Sequence, residues 1–251
     1  MPIEPARRLA ALGFTWQLAR WTRVSPGRIG SAFLLVPPIL LFLPLGSFGL
    51  FDSWQHGSVV LLSLGALILG FALGRDTAVP QPAEFWVYQK GLSLADWGIT
   101  RWTLDAAFGI AVFLFWMTAW WIAAANAGET DVARMIAALI VWQLSLYAII
   151  SAILYAIGST GSSRGTEFCV LLLFLALVQP LFARLMPEPA TLLARFVLPP
   201  VLSAVDARLQ IGRGEPLRTA LSSLIHVGVY VTALLTVGTI LLSRRRPEAE
   251  H

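Results

Sequence analysis

The sequence is short of most of what soluble chemistry uses. In 251 residues it carries one cysteine, three histidines and, beside seventeen arginines, a single lysine, Lys90. The lone Cys169 excludes a disulfide within the chain and a cysteine-rich metal site. Charged residues make up 13%, against about a quarter in an ordinary soluble domain. No G-x-x-x-x-G-K-[ST] phosphate loop occurs: Lys90 is followed by Gly91 and Leu92, so the chain has no means of binding ATP in that manner. The histidines, His56, His226 and His251, are far apart in sequence, whereas a haem or metal pair needs two at matching depth. His226, inside the last apolar run, reads as a packed or hydrogen-bonding residue.

What the chain has in abundance is apolar surface. The hydrophobic fraction is 57% and the mean hydropathy +0.73. A globule in water could not cover such a composition with polar side chains, so a bilayer is the solvent it requires. The net charge of +4 does not signal nucleic acid, because the basic residues flank apolar runs instead of forming a patch.

A membrane helix needs roughly 20 apolar residues to cross a hydrocarbon core about 30 Å thick. Stretches near that length lie at 30–50, 58–74, 104–125, 132–158, 167–186 and 219–243, which predicts an all-α integral membrane protein of six transmembrane helices. Pro37, Pro38 and Pro44 kink the first. Gly70 and Gly74 in the second have the G-x-x-x-G spacing that lets another helix come close. Residues 1–28 hold Leu9, Leu12 and Trp16 on one helical face with Arg7, Arg8, Arg20 and Arg23 near the ends, the pattern of an amphipathic interfacial helix or of a basic flank.

Orientation follows from Lys and Arg. With the N-terminus inside, twelve of the eighteen basic residues fall in cytoplasmic segments, including Arg75, Lys90, Arg101, Arg164 and the 244–251 tail with Arg244, Arg245 and Arg246. The exception is the stretch between the fifth and sixth spans, with Arg184, Arg195, Arg208, Arg213 and Arg218. A seventh span there would bury Arg195 at a cost of about 2.5–3.5 kcal/mol. A re-entrant segment over 190–206 that turns back at Pro199 and Pro200 avoids this cost.

Gly161-Ser162-Ser163-Arg164-Gly165 matches G-x-S-x-G, but a nucleophile elbow needs a strand before it, and here it joins two apolar runs as a polar connector. Asp105 and Glu167 each open a span and read as acids at helix N-termini, which leaves the membrane interior almost free of charge. The segment 84–102, between the second and third spans, alternates aromatics with polar groups at helical spacing. It reads as a short amphipathic helix that either meets a protein partner or lies on lipid headgroups.

This order of elements resembles the permease subunits of ABC-2-type ABC transporters over nearly the whole chain. The resemblance is carried by the basic N-terminal helix, Gly91-Leu92-Ser93 in the coupling segment, Arg164-Gly165 and Gln179-Pro180-Leu181-Phe182. It continues in Leu198-Pro199-Pro200-Val201 through Asp206 and Arg208, and in a final helix ending in arginines. The family implies a bacterial inner-membrane protein with both termini cytoplasmic and no catalytic, cofactor or metal residues of its own. ATP and Mg would be bound by a separate ABC ATPase subunit, and a second permease chain would complete the path for a hydrophobic or amphiphilic cargo. It also implies that Glu84, Trp86, Tyr88, Leu92, Leu94, Trp97 and Arg101 form the ATPase-coupling surface, and that Pro199, Pro200 and Asp206 belong to the re-entrant element. The alternatives are a membrane anchor for another complex, or a lipid-acting enzyme using Ser163 or Asp105.

Overall fold

The computed structural model describes Gly13, Gly65 and residues 93–126, 131–162, 164–183 and 187–244. Among them the backbone is helical apart from turns: α1 (Leu94–Asn126), α2 (Val132–Gly158), α3 (Gly165–Ala183), α4 (Glu188–Val197), α5 (Val201–Gly212) and α6 (Leu217–Arg244). Of these, α1, α2 and α6 are long and apolar enough to cross a membrane. The apolar part of α3, Gly165–Leu181, falls just short of that length. The expected spans at 30–50 and 58–74, the 1–28 helix and the 244–251 tail beyond Arg244 lie outside the described residues, Gly13 and Gly65 apart.

The α2 helix is the axis of the bundle, packing against α1, α3, α5 and α6. Its pairing with α1 is antiparallel. Gly98 lies at Tyr155 and Gly109 at Tyr147, while Trp102 bonds Ser151 between them. In contrast, α6 runs parallel to α2: Gly238 near its end touches Tyr155 and Ser159. α5 and α6 form an antiparallel hairpin about Arg213–Pro216, and Gly212 at its tip meets Ala138 early in α2. Phe113 stacks edge-on with both Trp116 and Tyr147, at centroid distances of 5.5 and 5.7 Å, and anchors the core shared by α1 and α2.

The start of α1 departs from the sequence expectation. A coupling helix within 84–102 followed by a separate span from residue 104 was expected, yet one helix of 33 residues runs unbroken from Leu94, inside the expected coupling segment, to Asn126. Ser93 explains the beginning. Its Oγ accepts the Asp96 N–H at 3.1 Å and donates to Asp96 Oδ2 at 2.9 Å, a reciprocal cap of the Ser-x-x-acid kind. Nothing after it breaks the helix, since Thr100 and Thr103 return their hydroxyl protons to carbonyls one turn back.

The second departure is the break between α4 and α5. The expected reversal at Pro199 and Pro200 is a helix break at that point, and its chemistry is local. A residue before proline is forced out of the α region, and Leu198 is extended, with φ −77° and ψ 149°. Both prolines are buried and lack an N–H, so two donors that a break inside the bundle would leave unmet are absent. Their carbonyls accept Val201 N–H at 2.8 Å and Ala204 N–H at 3.1 Å.

Lipid tails give helices no hydrophobic reason to associate, so close fit and polar contacts hold such a bundle together. The fit here is aromatic against glycine. A Cβ on Gly238 would lie 2.6 Å from the Tyr155 ring, one on Gly109 2.9 Å from Tyr147 and one on Gly65 2.7 Å from Trp116, whereas one on Gly228 of the same α6 helix would meet nothing within 4 Å. Replacing Gly238 by Ala is therefore expected to destabilise the bundle by about 1–3 kcal/mol through overpacking. Gly228→Ala should leave the melting temperature in detergent unchanged or slightly raised, and comparison of the two melting curves checks this.

Candidate functional site

Along α2 the polar residues Gln143, Tyr147, Ser151 and Tyr155 recur every fourth position, and Ser159 continues the series at the helix end. All five are buried. Residues four apart lie on one ridge of a helix, and this ridge extends for about 24 Å at 1.5 Å per residue. Polar atoms enclosed in an apolar bundle need partners within the protein, and α1 and α6 supply them to Ser151 and Tyr155. The Trp102 indole N–H donates to Ser151 Oγ at 3.2 Å, and Ser151 passes its proton to the Ala148 carbonyl. Thr239 Oγ1 donates to the Leu235 carbonyl at 2.7 Å. Its only proton is thereby used, so in the 3.1 Å contact with Tyr155 the phenol is the donor. Ser159 donates to the Tyr155 carbonyl at 2.6 Å.

Beside this ridge lie two buried ionisable residues of α1, Arg101 (1% exposed) and Asp105 (6%), one turn apart. The Arg101 guanidinium also stands 5.8 Å from the Trp97 ring centre, within cation–π range. Asp105 thus corrects the sequence reading. It is not the acid at a helix N-terminus, because the helix begins at Leu94 and Asp96 holds that role. Glu167, by contrast, does lie in the first turn of its helix, α3.

The expected coupling residues divide. Glu84, Trp86, Tyr88 and Leu92 lie outside the described residues. Leu94, Trp97 and Arg101 occupy the first turns of α1 and are buried, so they do not present the exposed amphipathic face that the spacing suggested. Leu94 packs with Tyr155 and Leu242, which ties the start of α1 to both α2 and α6. Pro199 and Pro200 are buried at the head of α5, whereas Asp206, on the opposite side from Val201, Ala204 and Ala207, is exposed. At 1.5 Å per residue, the proline pair lies about 18 Å along α5 from Gly212. In the first turn of α5, Ser203 Oγ meets His226 Nδ1 at 2.9 Å. His226 is thus a hydrogen-bonding residue, and among the described residues no group of His, Cys, Asp or Glu could hold a metal. The Gly161 to Gly165 connector is a turn between α2 and α3, with Gly161 at φ 84°, and no strand leads into it.

Sequence reasoning missed the polar ridge and the buried pair. The signal for the first was the four-residue spacing itself. For the second it was the Ser93-x-x-Asp96 cap, which marks the true start of the helix.

The fold and these packed polar contacts define an all-helical membrane protein. Compared with known proteins, the chain matches no family model, no curated protein and no solved structure.

The Tyr155–Thr239 contact is open to a double-mutant cycle. Tyr155→Phe and Thr239→Val are each expected to lower stability by about 0.6 kcal/mol, the average for side-chain hydrogen bonds inside membrane bundles. The double variant should lose less than the sum. Additive losses in denaturant titration would show that the two hydroxyls do not interact.

Proposed function

We propose that this chain is the membrane-spanning permease subunit of an ATP-driven transporter of the ABC-2 type, exporting a hydrophobic or amphiphilic cargo and coupled to a separate ATPase. The observation that carries the reading is the helix break at Pro199 and Pro200, after α4, from which α5 starts and packs against α2 and α6 ahead of a final helix that ends in arginine. That order is the most specific part of the resemblance. In this reading α4, α5 and the prolines form the re-entrant element, and α1, α2, α3 and α6 are the last four of six spans. The apolar runs 30–50 and 58–74 are the first two. Both termini are cytoplasmic, which puts Arg101, the Arg164 connector and Arg244 on one side, consistent with their joint position at one end of the bundle.

The coupling route follows from the packing of α1. The segment carrying Glu84, Trp86, Tyr88 and Leu92 leads directly into Leu94, which is wedged against α2 and α6. A push on that segment by an ATPase that closes on ATP and Mg would move three helices together, as rigid-body switching requires. A second permease chain completes the path.

Purification of the tagged chain in mild detergent, followed by mass spectrometry, is expected to recover a stoichiometric ATPase carrying a phosphate loop. Replacing Trp86, Tyr88 and Leu92 together by Ala should release that ATPase while leaving the permease folded. Recovery with a different membrane complex and no ATPase would overturn the proposal in favour of the anchor reading.

A further inference from the structure

On the outside of the bundle, a shallow open groove of about 370 Å³ is lined by Ile99 of α1 and by Thr232, Leu235, Thr236, Thr239 and Ile240 of α6. That volume lies within the range of small-molecule sites. The lining is more apolar than its three threonines suggest. Thr236 donates its hydroxyl proton to the Thr232 carbonyl at 2.8 Å, and Thr239 donates to the Leu235 carbonyl at 2.7 Å. Neither offers a donor to a polar guest, so what these two present is chiefly methyl groups beside Ile99, Leu235 and Ile240.

The length and charge of the groove fit one kind of occupant. From Thr232 to Ile240 it runs for about 12 Å of α6, and Arg244 follows one turn beyond, about 18 Å from Thr232. One leaflet of a bilayer is about 15 Å of hydrocarbon. Arg244 is exposed in the last turn of α6, and Arg245 and Arg246 follow it in sequence. An open apolar groove close to a leaflet in length, with a cation one turn beyond its end, complements a fatty acyl chain attached to a phosphate.

We infer that this groove binds one acyl chain of an anionic phospholipid, with Arg244 meeting the phosphate. The inference needs only the membrane embedding of the chain and is independent of any transport role. The test is native mass spectrometry of the full chain, released from mild detergent after equilibration with phosphatidylglycerol and phosphatidylcholine of equal chain length. One phosphatidylglycerol is expected to stay bound, preferred about fivefold, the equivalent of roughly 1 kcal/mol for one arginine at an anionic surface. Arg244→Gln should remove the preference. Thr236→Trp, at an exposed position, should fill the groove and abolish retention, with Thr232→Phe as a second filling variant if the first does not fold. Leu177→Trp on the exposed face of α3 should retain the lipid as the parent does. Retention of phosphatidylglycerol by both filling variants would overturn the inference. So would equal binding of the two lipids by the parent chain, or a lipid-free dimer cross-linked through position 236, which would make a second copy the occupant.

Discussion

Inside hydrocarbon a helix satisfies its own backbone but gains nothing hydrophobic by leaving lipid for another helix. Association has to come from shape and from side-chain hydrogen bonds, and in this protein both meet at Tyr155. Its ring fills the space left by Gly98 on α1 and Gly238 on α6, and its hydroxyl reaches Thr239. Because the phenol belongs to α2, one side chain fixes the mutual position of three helices. Leu94 and Leu242 close the same junction from either side. The outward faces of α3 and α6 make no comparable contacts among the described residues. There, Phe174, Leu177, Ile225 and Val229 are exposed, which in a membrane protein means that they meet lipid.

A second constraint governs the α4–α5 break. A helix that breaks among buried residues must account for every peptide group at the break. Two consecutive prolines reduce the number of donors, and the next turn of α5 takes up both proline carbonyls. The small residues Val201, Ala204 and Ala207 on the buried side of α5 then let it lie close to its neighbours. Interior polarity and backbone satisfaction thus have one solution: tight packing on α2, the helix that the other membrane-length elements share.

How much of this was legible depended on how charge is distributed. The bounds expected for α2, 132–158, agree with Val132–Gly158, and those for α6 differ by two residues at one end and one at the other. In both, no Asp, Glu, Lys or Arg interrupts the long stretch between the polar ends, so hydropathy alone marks the limits. The start of α1 was misjudged for the converse reason. Arg101 and Asp105 look like the edge of a span, but both are buried in the bundle and the helix continues past them to a serine cap. The polar ridge of α2 was hidden because each serine, tyrosine or glutamine is surrounded by aliphatic residues, and an average over the window conceals a four-residue period. The proline pair was readable, since its effect on the backbone is local.

The central claim is that α2 is the enclosed axis of a membrane-embedded bundle whose other helices shield it from lipid. The most direct measurement is footprinting with a lipid-phase carbene reagent, activated in membranes and mapped residue by residue by mass spectrometry. The account predicts strong labelling at Phe174 and Leu177 of α3 and at Ile225 and Val229 of α6, with almost none at Ile149, Ile150 and Ile153 of α2. Labelling of the three α2 isoleucines as heavy as that of α3 would contradict it.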